Sequence, residues 1–223
     1  MRTLCLPRKA LLAVLLTSFA LRGNDIIDAF GYKWTVPNAS DWKVERDADI
    51  TVLRLLTPRG PLPGPRRPMQ FALAETPTFQ HVVVDLDVKP VGRSVMLVYA
   101  YRDNAHFDYA HLSVDRAIIE PHHNGIFHVY GGERVRISTE EGRSAFVASK
   151  QWYHVRLTYS GDAGTIQVTV NEQSVPALHA VDLSLRAGRV GVGSFDEAGE
   201  FKNIKIQGTP ATAEVGVSKH STH

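Results

Sequence analysis

Cysteine is nearly absent from this chain: Cys5 is the single one in 223 residues. No intramolecular disulfide can form, so a folded unit must rest on its apolar core. Apolar runs are also scarce. The one that stands out, residues 10–21 (ALLAVLLTSFAL), is shorter than the ~20 residues a membrane span needs. No helix-period segment of useful length follows it, and no Lys- or Arg-rich block occurs anywhere. With 25 basic against 23 acidic residues, nothing in the charge favours nucleic acid as a partner.

The apolar run follows Arg2, Arg8 and Lys9 and ends near the small residues Ser18 and Ala20. That layout predicts a secretory signal peptide over residues 1–20, leaving no membrane span after cleavage. Cleavage would remove Cys5 and three basic residues, leaving 22 basic against 23 acidic. A secreted or periplasmic address, and a bacterial envelope above all, suits a disulfide-free domain of this size.

What the sequence does contain is short alternating runs. Residues 31–36, 41–46 and 49–56 read as strands, and the segment 58–68, with five prolines and two glycines, reads as a surface loop. Residues 81–88 and 94–101 read as long strands. Residues 126–130, 134–138, 144–148, 151–159, 164–170, 189–195 and 200–207 continue the series. The expected fold is all-β, two packed antiparallel sheets in one domain over residues 24–208, with a disordered tail at 209–223.

Residues 99–113 (YAYRDNAHFDYAHLS) and 120–132 (EPHHNGIFHVYGG) depart from the aliphatic alternation of a buried face. One parity carries Phe107, Tyr109, His111 and Ser113, the other His106, Asp108, Ala110 and Leu112. If Ser113 lies opposite Ile126, then His111 faces His128 and Tyr109 faces Tyr130. His122 and His123 would sit at the rim, with Arg134 and Arg136 on the next strand. Such a face can hold a sugar, tyrosines stacking on it while Arg, Asp and His bond its hydroxyls, or it can be stabilising cross-strand packing. His106, His111, His122, His123 and His128 could also supply zinc ligands, although no spacing matches an established zinc signature.

Three segments in order carry a family resemblance: residues 152–171 (WYHVRLTYSGDAGTIQVTVN), 188–197 (GRVGVGSFDE) and 201–208 (FKNIKIQG). They resemble the concanavalin A-like, or laminin-G-like, jelly-roll superfamily. Tyr99, Tyr101, Arg102, Asp103, Phe107 and Tyr109 look most like the central strand pair of secreted bacterial 3-keto-disaccharide hydrolase-like domains. The paired glutamates of the glucanase branch have no counterpart here, which argues against ordinary retaining glycosidase chemistry. The resemblance implies a carbohydrate ligand or substrate. As an enzyme, the chain would use His111 or His123 as acid or base with Asp103 assisting. Tyr99, Tyr101, Arg102, Tyr109, His128, Tyr130, Arg134 and Arg136 would bind substrate, Arg136 holding a negative or keto group. As a non-catalytic lectin-like module it would hold a glycan with the same residues. A structural or adhesion role is the third reading. The fold also implies a structural Ca²⁺, for which Asp25, Asp28, Asp196 and Glu197 are candidate donors.

Overall fold

In β6 (Phe79–Pro90), Val82, Val84, Leu86 and Val88 are buried while the residues between them are partly exposed. That strict alternation is what a strand with one face on a core requires. The computed structural model describes residues 24–60, 64–116, 118–120, 122–138 and 141–211. The expected signal peptide and residues 212–223 of the expected tail lie outside them.

Among the described residues, fifteen strands form two antiparallel sheets. The first runs β1 (Asp25–Ala29), β2 (Tyr32–Val36), β5 (Gln70–Ala74), β14 (Arg189–Ser194), β7 (Ser94–Asp103), β8 (His106–Ser113), β9 (Gly125–Tyr130), β10 (Glu133–Arg136). The second runs β13 (Gln173–Val181), β12 (Thr165–Val170), β11 (Tyr153–Ser160), β6, β15 (Gly199–Pro210), β4 (Ile50–Leu55), β3 (Trp42–Asp47). The sandwich of the sequence reading is what the chain builds. Three local expectations differ. Strands β5 and β13 were not anticipated, residues 144–148 form no strand, and β15 continues to Pro210, where Ala211 N donates to Thr78 O at 2.9 Å.

The main core lies between the sheets, where Val95, Leu97 and Tyr99 meet Leu86, Leu157 and Tyr159. A second apolar cluster occupies the outer face of the first sheet: Phe71, Leu73, Met96, Val98, Phe107, Tyr109, Phe127 and Val129. Burial on both faces explains why β7 reads as a continuous apolar run. Part of the cover is the proline-rich segment. Its Pro68 is buried, Arg67 Nε donates to Asn104 O at 2.9 Å, and Arg66 lies 5.1 Å from the Phe195 ring centre.

A bulge interrupts β7. Ala100 has φ +47°, the pairing with β8 shifts between Tyr99 and Asp103, and Tyr99 and Ala100 both turn inward. Tyr101 then falls on the outer face. Gly188 faces the bulge, where a Cβ would lie 2.1 Å from the Ala100 carbonyl carbon. Only glycine lets the two backbones approach this closely.

Candidate functional site

The site begins from strand register. Ala110 lies opposite Ile126, Tyr109 opposite Phe127 and His111 opposite Gly125. This is three residues from the expected pairing of Ser113 with Ile126, an odd shift that reverses the parity of β9. Tyr109 and His111 therefore face outward, and His128 and Tyr130 face the opposite side. The four do not share one surface.

The bulge and the register together dismantle much of the expected substrate face. Tyr99 is buried between the sheets against Tyr159, with ring centres 5.0 Å apart, and cannot touch a ligand on the outer face. His128 Nδ1 lies 2.6 Å from Asp108 Oδ1, and Tyr130 stacks on the His128 ring at 5.6 Å. The Arg102 guanidinium donates to Leu185 O, a structural tie. Asp103 sits in the β7–β8 turn, accepting from Ala105 N at 2.7 Å and meeting His106 Nδ1 at 2.9 Å. Ser94 pairs with Ser113 at the hairpin's other end, so Asp103 is a strand length away from His111 and cannot assist it. Tyr101 is on the outer face but at the Asp103 end, its hydroxyl donating to Asn104 Oδ1 at 2.8 Å.

What does converge is a cleft of about 190 Å³ at the His111 end of the outer face, bounded by Arg66, Arg93, His111, His123, Arg134 and Phe195. Arg134, opposite Val129 on β10, spans the aromatic floor. Its guanidinium carbon is 4.8 Å from the Phe195 ring centre and 5.5 Å from that of Phe127, and Nη1 donates to Tyr109 Oη at 3.1 Å. Among the described residues no carboxylate is within ion-pair distance of it. Arg66 and Arg93 are different: Arg66 is 3.7 Å from Asp196, and Arg93 is 3.5 Å from Asp115 and 3.3 Å from Glu197. Arg136 Nε donates to Asn124 O at 3.4 Å, behind this cleft rather than in its wall.

His111 is only 4% exposed, and among the described residues neither ring nitrogen has a well-formed hydrogen bond, although the His122 backbone lies near. Burial pushes its imidazole down to about 3, reinforced by the charges of His123 and Arg134. At neutral pH it is an uncharged ring offering one donor and one acceptor. His123 is more exposed, with Nδ1 2.7 Å from Asp115 Oδ2 and Nε2 3.9 Å from Glu120. Burial raises the Asp115 carboxyl, but hydrogen bonds from His123 and Ser113 outweigh it and hold the group below its ordinary value.

The expected calcium donors do not assemble. Asp25 Oδ2 accepts from Ala39 N at 2.7 Å on the edge strand, far along the sheet from Asp196 and Glu197. Glu197 Oε2 already accepts from Arg93 N at 2.8 Å, Ser94 N at 2.5 Å and Ser94 Oγ at 2.8 Å. Nor do the five histidines gather around one zinc position among the described residues. Sequence reasoning missed Arg66, Arg93, Asp115 and Phe195. The only signal for Phe195 was its place in the GSFDE segment, read there as a strand.

No family model matches the chain, and no curated protein matches it in sequence. Solved structures do share its fold. A carbohydrate binding module, CBM66, from Bacillus subtilis superposes with a TM-score of 0.50 at 13% identity, over 83% of this chain and 92% of that one. A Parabacteroides distasonis protein, provisionally named a glycosyl hydrolase, superposes with a TM-score of 0.52 at 17% identity, over 77% and 92%. At these identities the likeness is one of fold alone, the two-sheet antiparallel β-sandwich. No helix among the described residues is long and apolar enough to cross a membrane.

Proposed function

We propose that this domain binds a glycan, seating one terminal sugar unit in the cleft between His111, Arg134 and Phe195. The observation that carries the reading is Arg134, whose guanidinium lines the cleft 4.8 Å from the Phe195 ring centre with no carboxylate within ion-pair distance among the described residues. Arg134, held over the buried Phe195 ring, offers donors to a sugar hydroxyl or to the carboxylate of an acidic sugar. The names of the two structural neighbours, a carbohydrate binding module and a glycosyl hydrolase, support a carbohydrate role. The chemistry of the cleft supports binding over hydrolysis: of its carboxylates, Asp196 faces Arg66, Glu197 is held by Arg93 and two backbone amides, and Glu120 lies 3.9 Å from His123.

Calorimetric titration with neutral and uronate-bearing oligosaccharides, with chromatography of the recovered sugar, tests this. The expected result is saturable binding with the sugar unchanged, and about 10- to 100-fold weaker binding in Arg134→Ala, since a charge-assisted hydrogen bond is worth about 1.5–3 kcal/mol. No binding by any glycan, or equal affinity in Arg134→Ala, would remove the reading. One observation favours a second reading: the His123–Asp115 pair at the cleft wall is built like an oriented general base. Sugar consumed by the parent chain and left intact by His123→Ala would make the domain an enzyme.

A further inference from the structure

The opposite side of the same hairpin holds a cluster that the glycan reading does not use. Asp108 on β8 and His128 on β9 are register partners facing the second sheet. Asp182, directly after β13, reaches them from that sheet, so three potential ligands from two sheets meet at one edge of the sandwich. Their ligand atoms all lie within 4.8 Å of one another. The side chains are 2%, 12% and 19% exposed, respectively, too enclosed for solvated surface acids.

The geometry points to a binding site for one divalent transition-metal ion, Zn²⁺ or Mn²⁺, held by Asp108, His128 and Asp182 and tying the two sheets together. A single imidazole hydrogen leaves the cluster unsatisfied. His128 Nδ1 can carry a single hydrogen and faces two carboxylates, Asp108 Oδ1 at 2.6 Å and Asp182 Oδ2 at 3.3 Å. Donated to Asp108, that hydrogen leaves Asp182 Oδ2 buried without a partner. The other Asp182 oxygen is fixed by Ser184 N at 3.1 Å and Ser184 Oγ at 2.6 Å, which aims Oδ2 inward. Two further groups point the same way. Tyr99 is the cross-strand partner of Asp108, Tyr159 packs against Tyr99, and among the described residues neither buried phenol oxygen has a hydrogen bond. Both phenols feel the fields of Asp108 and Asp182, and a water on the ion could bridge to them. A mixed nitrogen and carboxylate set suits Zn²⁺ or Mn²⁺ better than Ca²⁺. Tetrahedral zinc bonds of 2.0–2.2 Å put ligand atoms roughly 3.3–3.5 Å apart, so Asp182 is in place and Asp108 must retreat by under ~1 Å.

The test uses the full chain, stripped with a chelator, dialysed free of it, and titrated with Zn²⁺ and separately with Co²⁺. One tight site per chain is expected. Bound Co²⁺ should give the visible absorption of a four- or five-coordinate ion, and thermal stability should rise with free Zn²⁺. Asp182→Asn keeps the shape and the acceptor for Ser184, and should weaken the site about 100-fold or more. His123→Gln controls for zinc capture by the cleft histidines and should leave the site intact. His128→Gln is the second variant should Asp182→Asn fold poorly. A chain with no tight site, or one whose site survives both Asp182→Asn and His128→Gln, overturns the assignment. So does a site that disappears in His123→Gln. Glycan binding is read in a separate titration at the other face, so either proposal can fail without the other.

Discussion

His111→Phe is expected to make the protein markedly more resistant to acid than the parent chain. In the parent, burial holds the folded imidazole at about 3, while an unfolded histidine titrates near 6.5. Between those values the unfolded state binds the extra proton, so unfolding becomes easier as pH falls. The stability is fully present above about pH 6.5 and drains away toward pH 3, at up to about 1.4 kcal/mol per pH unit. Phenylalanine has a ring of similar size, sits well among Tyr109, Phe127 and Phe195, and takes up no proton. Urea unfolding at pH 7.5 should find the two proteins within about 1.5 kcal/mol. At pH 4 the variant should have gained on the order of 3 kcal/mol over the parent. Asp108, raised to about 6 chiefly by burial, acts in the opposite sense, because the folded state then binds the extra proton between about 4 and 6. That contribution is common to both proteins and cancels in the difference. Stability curves that stay parallel from pH 7.5 to pH 4 would mean that His111 takes up its proton without penalty, and the picture of a dry, neutral imidazole would be wrong.

The same histidine shows where the sequence was legible. Strict alternation in β6 and in the β11–β12 hairpin identified the sandwich, because one-sided burial writes itself into every second residue. The two parities of residues 106–113 were separable for the same reason, and His111, His123 and Arg134 could be picked out. Two backbone events were not visible. A bulge at Ala100 places a non-glycine residue at positive φ, and alternation carried through it sets Tyr99 and Tyr101 on one face when they lie on two. The pairing of β8 with β9 depends on how the chain from residue 114 to 124 folds back, which no residue pattern in the strands encodes. Three residues of slip moved His128 and Tyr130 to the other face. Strands β5 and β13 escaped because QFALA is buried throughout, and because β13 carries Pro176, which reads as a breaker. Arg66 and Phe195 reach the cleft from segments distant in sequence, so only the folded sheet order reveals them.

What fixes that return is Asn124, and its removal should be the most damaging single change near the cleft. The side chain is 4% exposed and makes three hydrogen bonds: Oδ1 accepts from Ser113 N at 2.9 Å and from Ala145 N at 3.0 Å, and Nδ2 donates to Asp115 O at 2.7 Å. One amide thus closes the end of β8 onto the segment carrying His122 and His123, and pins both to residues 145–146, where Phe146 N also donates to Ser113 O. Asn124→Ala would strand three backbone groups that water reaches only if the segment opens. At about 1–3 kcal/mol for each buried group left unpaired, a loss of about 3 kcal/mol or more follows. Asn124→Asp should fare little better: it keeps the acceptor but meets Asp115 O with an oxygen and adds a buried charge. The damage should reach function as well, because Asp115, which orients His123, is held by the same amide. Hydrogen exchange is the decisive readout: the Ser113 and Ala145 amides should lose protection in Asn124→Ala, with the β6 and β11 amides still slow at pH 7. Unchanged protection at Ser113 would mean that strand pairing, not this side chain, holds the segment, and the β8–β9 register would need another cause.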